Sequence, residues 1–435
     1  MFLREGLPIL YGRMLACGIP IARMMEDGTS GRDRMKRNEL SIAIIGGGIG
    51  GITAALSLLR AGADVHIYER AKALSEVGAG IQVSPNASRI LHRLGLADAL
   101  ANMGVKPLAI HQRRWDDGRT LLRTPLAEAM EAAFGFPHYQ MHRADLLNAL
   151  ACALPAERLH VGHRFTALVD HGDHVEATFE NGTHIDVDVL VGADGIHSAV
   201  RHVVFGPEKP HFTGCVAYRG LVPADRLTHL DLEVTLQVWM GPGKHFVHYY
   251  VQNRRLVNFV VAIEQDTWTG ESWIDRGDVA DARAAHEGWH PQVRGILEAV
   301  DETFIWALFD RKPMTHWSIG RVTLLGDACH AMLPFMAQGA AQAIEDGATL
   351  ATCLSQTATR DVPEALRRYE ALRLPRASRV QRLSEVNKTR FHLPDGPAQQ
   401  ARDTEMARGT TDFSLKAVGW LYGYDAGRPQ SSPID

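Results

Sequence analysis

The stretch Ser41-Ile-Ala-Ile-Ile-Gly46-Gly-Gly48-Ile-Gly-Gly51, continuing into Ile52-Thr-Ala-Ala-Leu-Ser-Leu-Leu-Arg60, decides how the rest of the chain is read. Ile42 to Ile45 form an apolar run of strand length, as a strand covered on both faces requires. An apolar-periodic helix follows and ends near Gly62. Gly46, Gly48 and Gly51 fill the three glycine places of GxGxxG. The first permits a tight turn, the second lets the backbone approach a pyrophosphate, and the third lets helix and strand pack closely. The helix N-terminus offers unpaired N–H groups to the phosphates. A second strand, Asp64-Val-His-Ile-Tyr-Glu69, ends in an acid 23 positions after Gly46. That is close to the spacing at which a carboxylate meets ribose hydroxyls. Strand, turn, helix and acid together specify a dinucleotide site. A glycine-rich surface turn would leave Glu69 unexplained.

The 435 residues suffice for two joined domains, and 46% apolar with 22% charged residues is ordinary for a globular chain. A net charge of −4 implies no broad basic face for nucleic acid. No apolar run approaches the roughly 18 residues of a membrane span. The cysteines, Cys17, Cys152, Cys215, Cys329 and Cys353, are odd in number, widely spaced and without a CxxC pair. Buried reduced thiols in a cytoplasmic enzyme are the expectation. Residues 1–38 precede the nucleotide fold and read as a disordered leader. Gly12, Arg13, Gly18 and Pro20 interrupt the apolar character of Leu7 to Ala22, against a signal peptide. Met35 looks like a natural beginning.

Further along, Glu76-Val-Gly78-Ala-Gly80 suggests a second backbone segment near the ligand. Ala87 to Leu96 reads as a helix, and Lys106–His111 and Thr120–Arg123 as strands around the Asp117-Gly118 turn. Arg143 opens an amphipathic helix. A cation there opposes the helix dipole, so an anion is expected to offset it. Residues 158–191 alternate as strands with turns at His171–His174 and Asn181-Gly182. Turn chemistry accounts for the two histidines without a metal. Four antiparallel strands are expected at Cys215–Val222, Glu233–Trp239, Lys244–Val251 and Leu256–Ala262. A further strand falls at Phe304–Leu308. Arg321-Val-Thr-Leu-Leu325 returns to the buried-strand pattern. Helices follow from about Gln338 to Leu354 and from about Pro363 to Arg390.

Three separated motifs coincide: the glycine turn at 46–51, Gly192-Ala-Asp194-Gly195, and Gly326-Asp327-Ala-Cys-His-Ala-Met-Leu-Pro334 with Gln338-Gly339. With Arg143, they resemble the single-component FAD-dependent aromatic hydroxylases, the para-hydroxybenzoate hydroxylase-like flavoprotein monooxygenases. The likeness covers about residues 40–390. Within that family, Ala217-Tyr-Arg-Gly220, Gly243-Lys-His-Phe-Val-His-Tyr249 and Trp420-Leu-Tyr-Gly-Tyr-Asp425 look most like salicylate hydroxylase, 3-hydroxybenzoate 6-hydroxylase and 6-hydroxynicotinate 3-monooxygenase. The resemblance implies an α/β fold. Its Rossmann-like FAD-binding domain, of the glutathione reductase type, carries an inserted antiparallel-sheet substrate domain and C-terminal helices. The expected division is 39–106, 136–210 and 318–362 for FAD, 107–135 and 211–317 for substrate, and 363–435 for the C-terminal helices.

The resemblance also implies the cofactors, FAD held by the protein and NADH or NADPH as a transient co-substrate. The partners are O2 and a small aromatic acid of the salicylate or 3-hydroxybenzoate type. The chain is expected as monomer or homodimer, without nucleic acid, membrane or metal. The implied cofactor residues are Gly46, Gly48, Gly50, Gly51, Glu69, Arg70, Gln82, Arg143, Asp194, Gly195, Asp327, Gly339 and Ala340. Asp327 would bind the flavin ribitol, with helix capping as its alternative role. Asp194-Gly195 would serve FAD and the nicotinamide, and Arg143 the nucleotide linkage. Pro334 would lie near the isoalloxazine ring. The helix opening at Gly339-Ala340 would face the flavin N1/C2 edge, where reduced flavin is anionic. Oxygen transfer would pass through a flavin C4a-hydroperoxide.

A phenol attacks such an oxidant faster as its phenolate, so a base is needed. His245 and Tyr249 are four apart on an expected strand and share a face. The close relatives place this HxxxY pair in the substrate pocket. His245 is therefore expected as base or phenolate partner, with an ordinary imidazole pKa near 6.5, and Tyr249 as relay, the alternative being two ordinary sheet residues facing a wet groove. His248 falls on the opposite face. The 6-hydroxynicotinate enzymes align histidines where this chain has Gln82 and Phe335, so a heteroaromatic substrate is the alternative. Another FAD oxidoreductase on the same scaffold, an epoxidase or dehydrogenase, is the other. No carboxylate-binding arginine stands out in the sequence.

Overall fold

The computed structural model describes residues 40–74, 79–268, 276–409 and 414–428. The leader, with its Met35, and Glu76-Val-Gly78 lie outside them. Ser41–Ile45 is a central strand of a six-stranded sheet, and Ile42 to Ile45 are buried. It pairs in parallel with Asp64–Glu69 on one side and Val189–Gly192 on the other. Leu159–Val161 extends the first side, and Val322–Leu324 then Ser318–Ile319 the second. Parallel strands present their C-terminal ends at one edge, and open α/β sheets bind ligands beyond that edge.

The register Ile45↔Tyr68, Ile45↔Gly192 and Gly192↔Leu324 sets three loops side by side there. The ladder continues past the strands. Gly46 N–H donates to Tyr68 O (2.9 Å), Ala193 N–H to Ile45 O (2.8 Å) and Leu325 N–H to Gly192 O (2.9 Å). The three motifs, distant in sequence, thus become neighbours along one edge.

The second sheet has eight strands, in the order Arg276–Gly277, Thr303–Asp310, His211–Pro223, Leu256–Glu264, Lys244–Val251, Leu236–Gly241, Ala109–Arg114, Thr120–Pro125. Strands from 107–135 and from 211–317 therefore pair in one sheet. Its pairs are antiparallel except Ala109–Arg114 with Leu236–Gly241, which is parallel. A uniformly antiparallel sheet was the expectation. These two strands are not joined by a hairpin, so no tight turn dictates their relative direction. The strand expected from Lys106 starts only at Ala109 and runs to Arg114. Pro107 has no N–H to give a ladder, and the Gly118 turn (φ +70°) lets pairing run up to it. The strand expected at Glu233–Trp239 is Leu236–Gly241 for a similar reason, its end set by the turn at Gly243 (φ +64°).

The helix Gly339–Leu354 crosses Ile49–Arg60 at backbone contact. A Cβ on Gly347 would stand 2.8 Å from Ala54 N, and one on Gly50 2.9 Å from Ala343 Cβ. The helix Val362–Phe391 then covers a fully buried charge cluster. Arg373 donates to Asp346 Oδ1 at 2.7 Å and to Glu345. Arg376 forks onto Glu345 at 2.7 and 2.8 Å. The Trp420–Asp425 stretch closes over it: Arg376 stacks 3.9 Å above the Tyr424 ring, and Arg93 grips Asp425 with two bonds of 2.6 Å. Among the described cysteines, Cys215, Cys329 and Cys353 are buried as expected, but Cys152 is exposed near the end of its helix. Among the described residues no helix is long and apolar enough to cross a membrane.

Candidate active site

In the glycine turn two glycines are fixed by the chain itself. Gly46 has φ +113°, and a Cβ there would lie 2.4 Å from Ala193 O. A Cβ on Gly51 would lie 2.1 Å from Gly46 O. Gly48 is different. Its backbone is ordinary (φ −77°), and a Cβ would meet nothing within 4 Å. Neither conformation nor packing calls for glycine at that position. The space left open over the backbone at a helix N-terminus fits a diphosphate. Gly48→Val is expected to fold, because that backbone suits valine, yet to purify nearly colourless. Full flavin occupancy, read from the visible spectrum, would refute the assignment.

Glu69 braces the same turn. Its Oε2 accepts Gly47 N–H (2.7 Å) and its Oε1 accepts Ala71 N–H (2.8 Å). Each oxygen keeps a lone pair for a ribose hydroxyl. Arg70 beside it is exposed. Gln82 is half-buried on Gly80–Val83, opposite Gln140. Arg143 opens its helix as expected, and its N–H donates to Ala79 O at 2.8 Å. The first turn also holds Asp145, which engages His142 and Gln252. Gly80 does not stand open to a ligand. A Cβ there would lie 2.6 Å from both the Asn258 side chain and the Tyr249 hydroxyl, so protein fills that space.

The two aspartates divide their roles in a way the motifs do not reveal. Asp194 helps cap the helix Ala199–Phe205 beside its N-cap Ser198, whose Oγ accepts Arg201 N–H at 2.9 Å. The Asp194 carboxylate accepts Ser198 Oγ–H (2.5 Å) and the N–H groups of Ala199 (2.7 Å) and Val200 (3.2 Å). Burial pushes its pKa up against those bonds. The neighbouring Gly195 (φ +80°) is the open part of that loop. Asp327, for which capping was the alternative, is exposed and accepts no hydrogen bond among the described residues. Its Oδ1 lies 3.9 Å from where a Cβ on Gly339 would stand, so a free carboxylate faces the start of the Gly339–Leu354 helix. Pro334, also exposed, begins the turn Pro334–Met336 that leads into that helix. Ala337 follows in the left-handed region (φ +52°), a strained geometry for alanine. Ala340 is half-buried in the first turn.

The loop after Pro334 meets the second sheet at His245. The Phe335 ring stands edge-on to the imidazole, with centroids 4.9 Å apart. Strand parity is as read from sequence. Val247, Tyr249 and Val251 pack with Leu333 and Phe335, whereas Phe246 belongs to the core on the other face and His248 stacks on Trp239 there. His245 and Tyr249 are not hydrogen-bonded to each other. His245 Nδ1 instead pairs with His392 Nε2 at 2.7 Å. Burial, with His392 and His286 nearby, holds the His245 pKa well below the ordinary imidazole range. The expectation of a base with pKa near 6.5 is corrected on this point: the strand buries the ring completely, and desolvation disfavours its cation. Burial likewise raises the Tyr249 pKa, against an opposing pull from Arg219, so its phenol stays protonated.

Arg219 is the residue the sequence did not single out. It lies on the same face as Cys215 and Ala217, diagonal to His245 and Tyr249 through the rows Ala217–Ala262–His245 and Arg219–Val260–Val247. Its guanidinium stacks 4.0 Å over Trp306 and forms no ion pair among the described residues; Nε is buried without a partner. Burial, and the nearby Arg143, lower its pKa to about 10, with Tyr249 pulling the other way. The period-2 alternation from Cys215 was the available signal. What it could not show was the missing anion.

Among the described residues, one grouping has metal-ligating atoms within 4.8 Å of one another: Cys329, His330 and Asp346, all buried. Cys329 Sγ, His330 Nε2 and both Asp346 oxygens are engaged with protein. Asp346 Oδ2 accepts from His330 Nε2 (2.6 Å) and Gly326 N–H (3.0 Å), and Oδ1 from Arg373. The cluster thereby ties the Gly326-Asp327 turn to the buried arginine.

The FAD-binding-domain family model matches residues 39–384. A 3-amino-4-hydroxybenzoate 2-monooxygenase of Streptomyces platensis is 44% identical over 392 residues, 90% of this chain and 98% of that protein. A 6-hydroxynicotinate 3-monooxygenase of Bordetella bronchiseptica is 40% identical over 80% of this chain and 91% of its own length. Among solved structures, a salicylate hydroxylase substrate complex superposes with a TM-score of 0.77 at 26% identity, covering 89% of this chain and 96% of that one.

Proposed function

The chain belongs to the FAD-binding-domain family, FAD is its cofactor, and from that premise we propose that it is an NAD(P)H-consuming monooxygenase that hydroxylates a phenolic aromatic acid. The observation that carries the substrate class is one sheet face bearing both His245 and the unpaired Arg219, beside the Pro334–Met336 turn. Bound FAD would supply the passage of reducing equivalents from NAD(P)H to O2. The chain's own residues do the rest.

In this reading Gly46, Gly48, Gly50 and Gly51 hold the diphosphate, Glu69 the ribose and Asp327 the ribitol. The N–H groups at Gly339-Ala340 face the flavin's anionic edge. Strands from 107–135 and 211–317 form the substrate side. Arg219 pairs with the ring carboxylate through its planar fork. His245 is engaged through Nδ1 with His392, and its other ring nitrogen, Nε2, takes the phenolic proton. Tyr249 remains protonated and donates to the substrate. Phe335, Ala217 and Ala262 exclude water around the ring. The relatives acting on 3-amino-4-hydroxybenzoate make that compound the first to test.

The test is a screen of the FAD-loaded enzyme under labelled dioxygen with NADH or NADPH. The panel is 3-amino-4-hydroxybenzoate, 3-hydroxybenzoate, salicylate and 6-hydroxynicotinate. A hydroxybenzoate should stimulate oxidation and acquire one labelled oxygen. A product oxidised without gaining label and without consuming NAD(P)H would make the enzyme a dehydrogenase. Preference for 6-hydroxynicotinate over every benzoate would move the reading to heteroaromatic rings. Arg219→Met should raise KM for the accepted benzoate about 10- to 100-fold, as loss of a hydrogen bond to a charged group predicts. It should leave KM for the matching phenol without a carboxylate nearly unchanged. An equal rise for both would remove Arg219 from carboxylate binding.

A further inference from the structure

His245 is one end of a chain of three side chains that reaches the surface. Its Nδ1 lies 2.7 Å from His392 Nε2, and His392 Nδ1 lies 3.0 Å from Glu264 Oε1. Both histidines are buried, while the Glu264 side chain is 46% exposed. Resting on the reading of His245 as the base, we propose that His245, His392 and Glu264 form a proton relay carrying the substrate's phenolic proton from the buried face to solvent.

The backbone fixes the relay in place. Gly243 N–H donates to His392 O (3.0 Å), and Gly243 O accepts Glu264 N–H (2.9 Å). One turn residue thus joins the end of the helix Val362–Phe391 to the end of Leu256–Glu264. The ionic member also sets the tautomers. Glu264 as carboxylate only accepts, so His392 must carry its proton on Nδ1. His392 Nε2 is then the acceptor, and His245 must carry its proton on Nδ1. That leaves His245 Nε2 bare, which is the form a base needs.

The bookkeeping of bonds closes. The phenol O–H breaks as N–H forms at His245 Nε2. The His245 Nδ1–H breaks as N–H forms at His392 Nε2. The His392 Nδ1–H breaks as O–H forms at Glu264 Oε1, which gives its proton to water. No electrons leave the substrate, and the phenolate remains. Reverse passage returns a proton to the product oxygen and restores the starting tautomers. A relay also answers the desolvation of His245. A ring whose cation is disfavoured by burial, His392 and His286 cannot store a proton, and here it has somewhere to send it. Burial lowers the His392 pKa as well, against the pull of Glu264 and with a further push from Lys388, which disfavours storage there too.

The competing account is a structural ion pair that pins the helix C-terminus. Proton release separates the two. The oxidised FAD enzyme is mixed, without NAD(P)H, with 3-amino-4-hydroxybenzoate in weak buffer containing a pH indicator. Phenolate formation is followed by ultraviolet difference absorbance, and the released proton by the dye. In the parent the two should rise together. Glu264→Gln keeps an acceptor for His392 but cannot take a proton, and it should slow both signals by at least about tenfold. His392→Gln should do the same. In Glu264→Ala, added acetate should restore the rate, which a merely structural role does not predict. If both Gln variants ionise the phenol at the parent rate while His245→Ala does not, the relay is wrong and the base stands. If His245→Ala also ionises it at the parent rate, the base reading falls and the relay with it.

Discussion

His245→Ala is expected to keep its FAD and to go on oxidising NAD(P)H in the presence of the aromatic acid, while hydroxylated product per NAD(P)H falls at least about 100-fold and H2O2 takes its place. The magnitude follows from the usual contribution of a positioned acid–base group, about 10²–10⁴-fold. The selectivity follows from place. His245 touches Phe335, Phe391 and His392 and lies away from the glycine turn at Gly46–Gly51, so nothing that holds the diphosphate depends on it. The control is three residues away on the same strand. His248 is equally buried, stacks on Trp239, and is held at a pKa of about 3 by burial and by Arg113. It faces the other core. His248→Ala should cost about 1–3 kcal/mol of stability, as truncations of buried residues do, without uncoupling the enzyme. Product and H2O2 per NAD(P)H decide the matter. Tight coupling in His245→Ala, or uncoupling in His248→Ala, would defeat both the face assignment and the base role.

Arg373→Met should be strongly destabilising, by about 3–5 kcal/mol. Glu345, Asp346 and Arg373 have no solvent exposure at all. Burial pushes the Asp346 pKa up, but His330 and Arg373 outweigh it and hold it at about 2. Burial likewise opposes ionisation of Glu345, and Arg376 with Arg373 more than compensate. Methionine fills similar volume but leaves two carboxylates facing one arginine. The loss compares with total stabilities of about 5–15 kcal/mol, so little margin would remain. The pH dependence has a definite sign. A depressed carboxylate stabilises the fold above its unfolded pKa near 4, and that contribution is lost as pH falls toward 2. The variant's carboxylates would instead protonate more readily. Its deficit against the parent, read from urea unfolding, should therefore be largest near neutrality and shrink as pH drops through about 5 to 4. Because Asp346 also accepts Gly326 N–H, FAD affinity should fall with stability. A deficit under about 1 kcal/mol, or one that grows in acid, would contradict this account of the cluster.

What the sequence determined by itself was local or periodic. The continuous apolar run before Gly46, the glycine spacing and the acid at Glu69 follow from backbone sterics and strand burial within some 30 residues. The parity of His245, Tyr249 and His248 follows from the alternation of a strand. Other features waited for the tertiary structure, because they depend on which distant groups the sheet registers bring together. Asp194 and Asp327 sit in equally suggestive motifs, yet only the placement of Ser198 and the following helix turns the first into a cap and leaves the second free. The arginines of the helix Val362–Phe391 were visible, but not that two of them are sealed against Glu345 and Asp346. Arg219 matters for an anion that no neighbour supplies. His392 reaches His245 from 147 positions away. Charge pairing and desolvation are set by the full three-dimensional surroundings of an atom, and strand spacing carries no record of them.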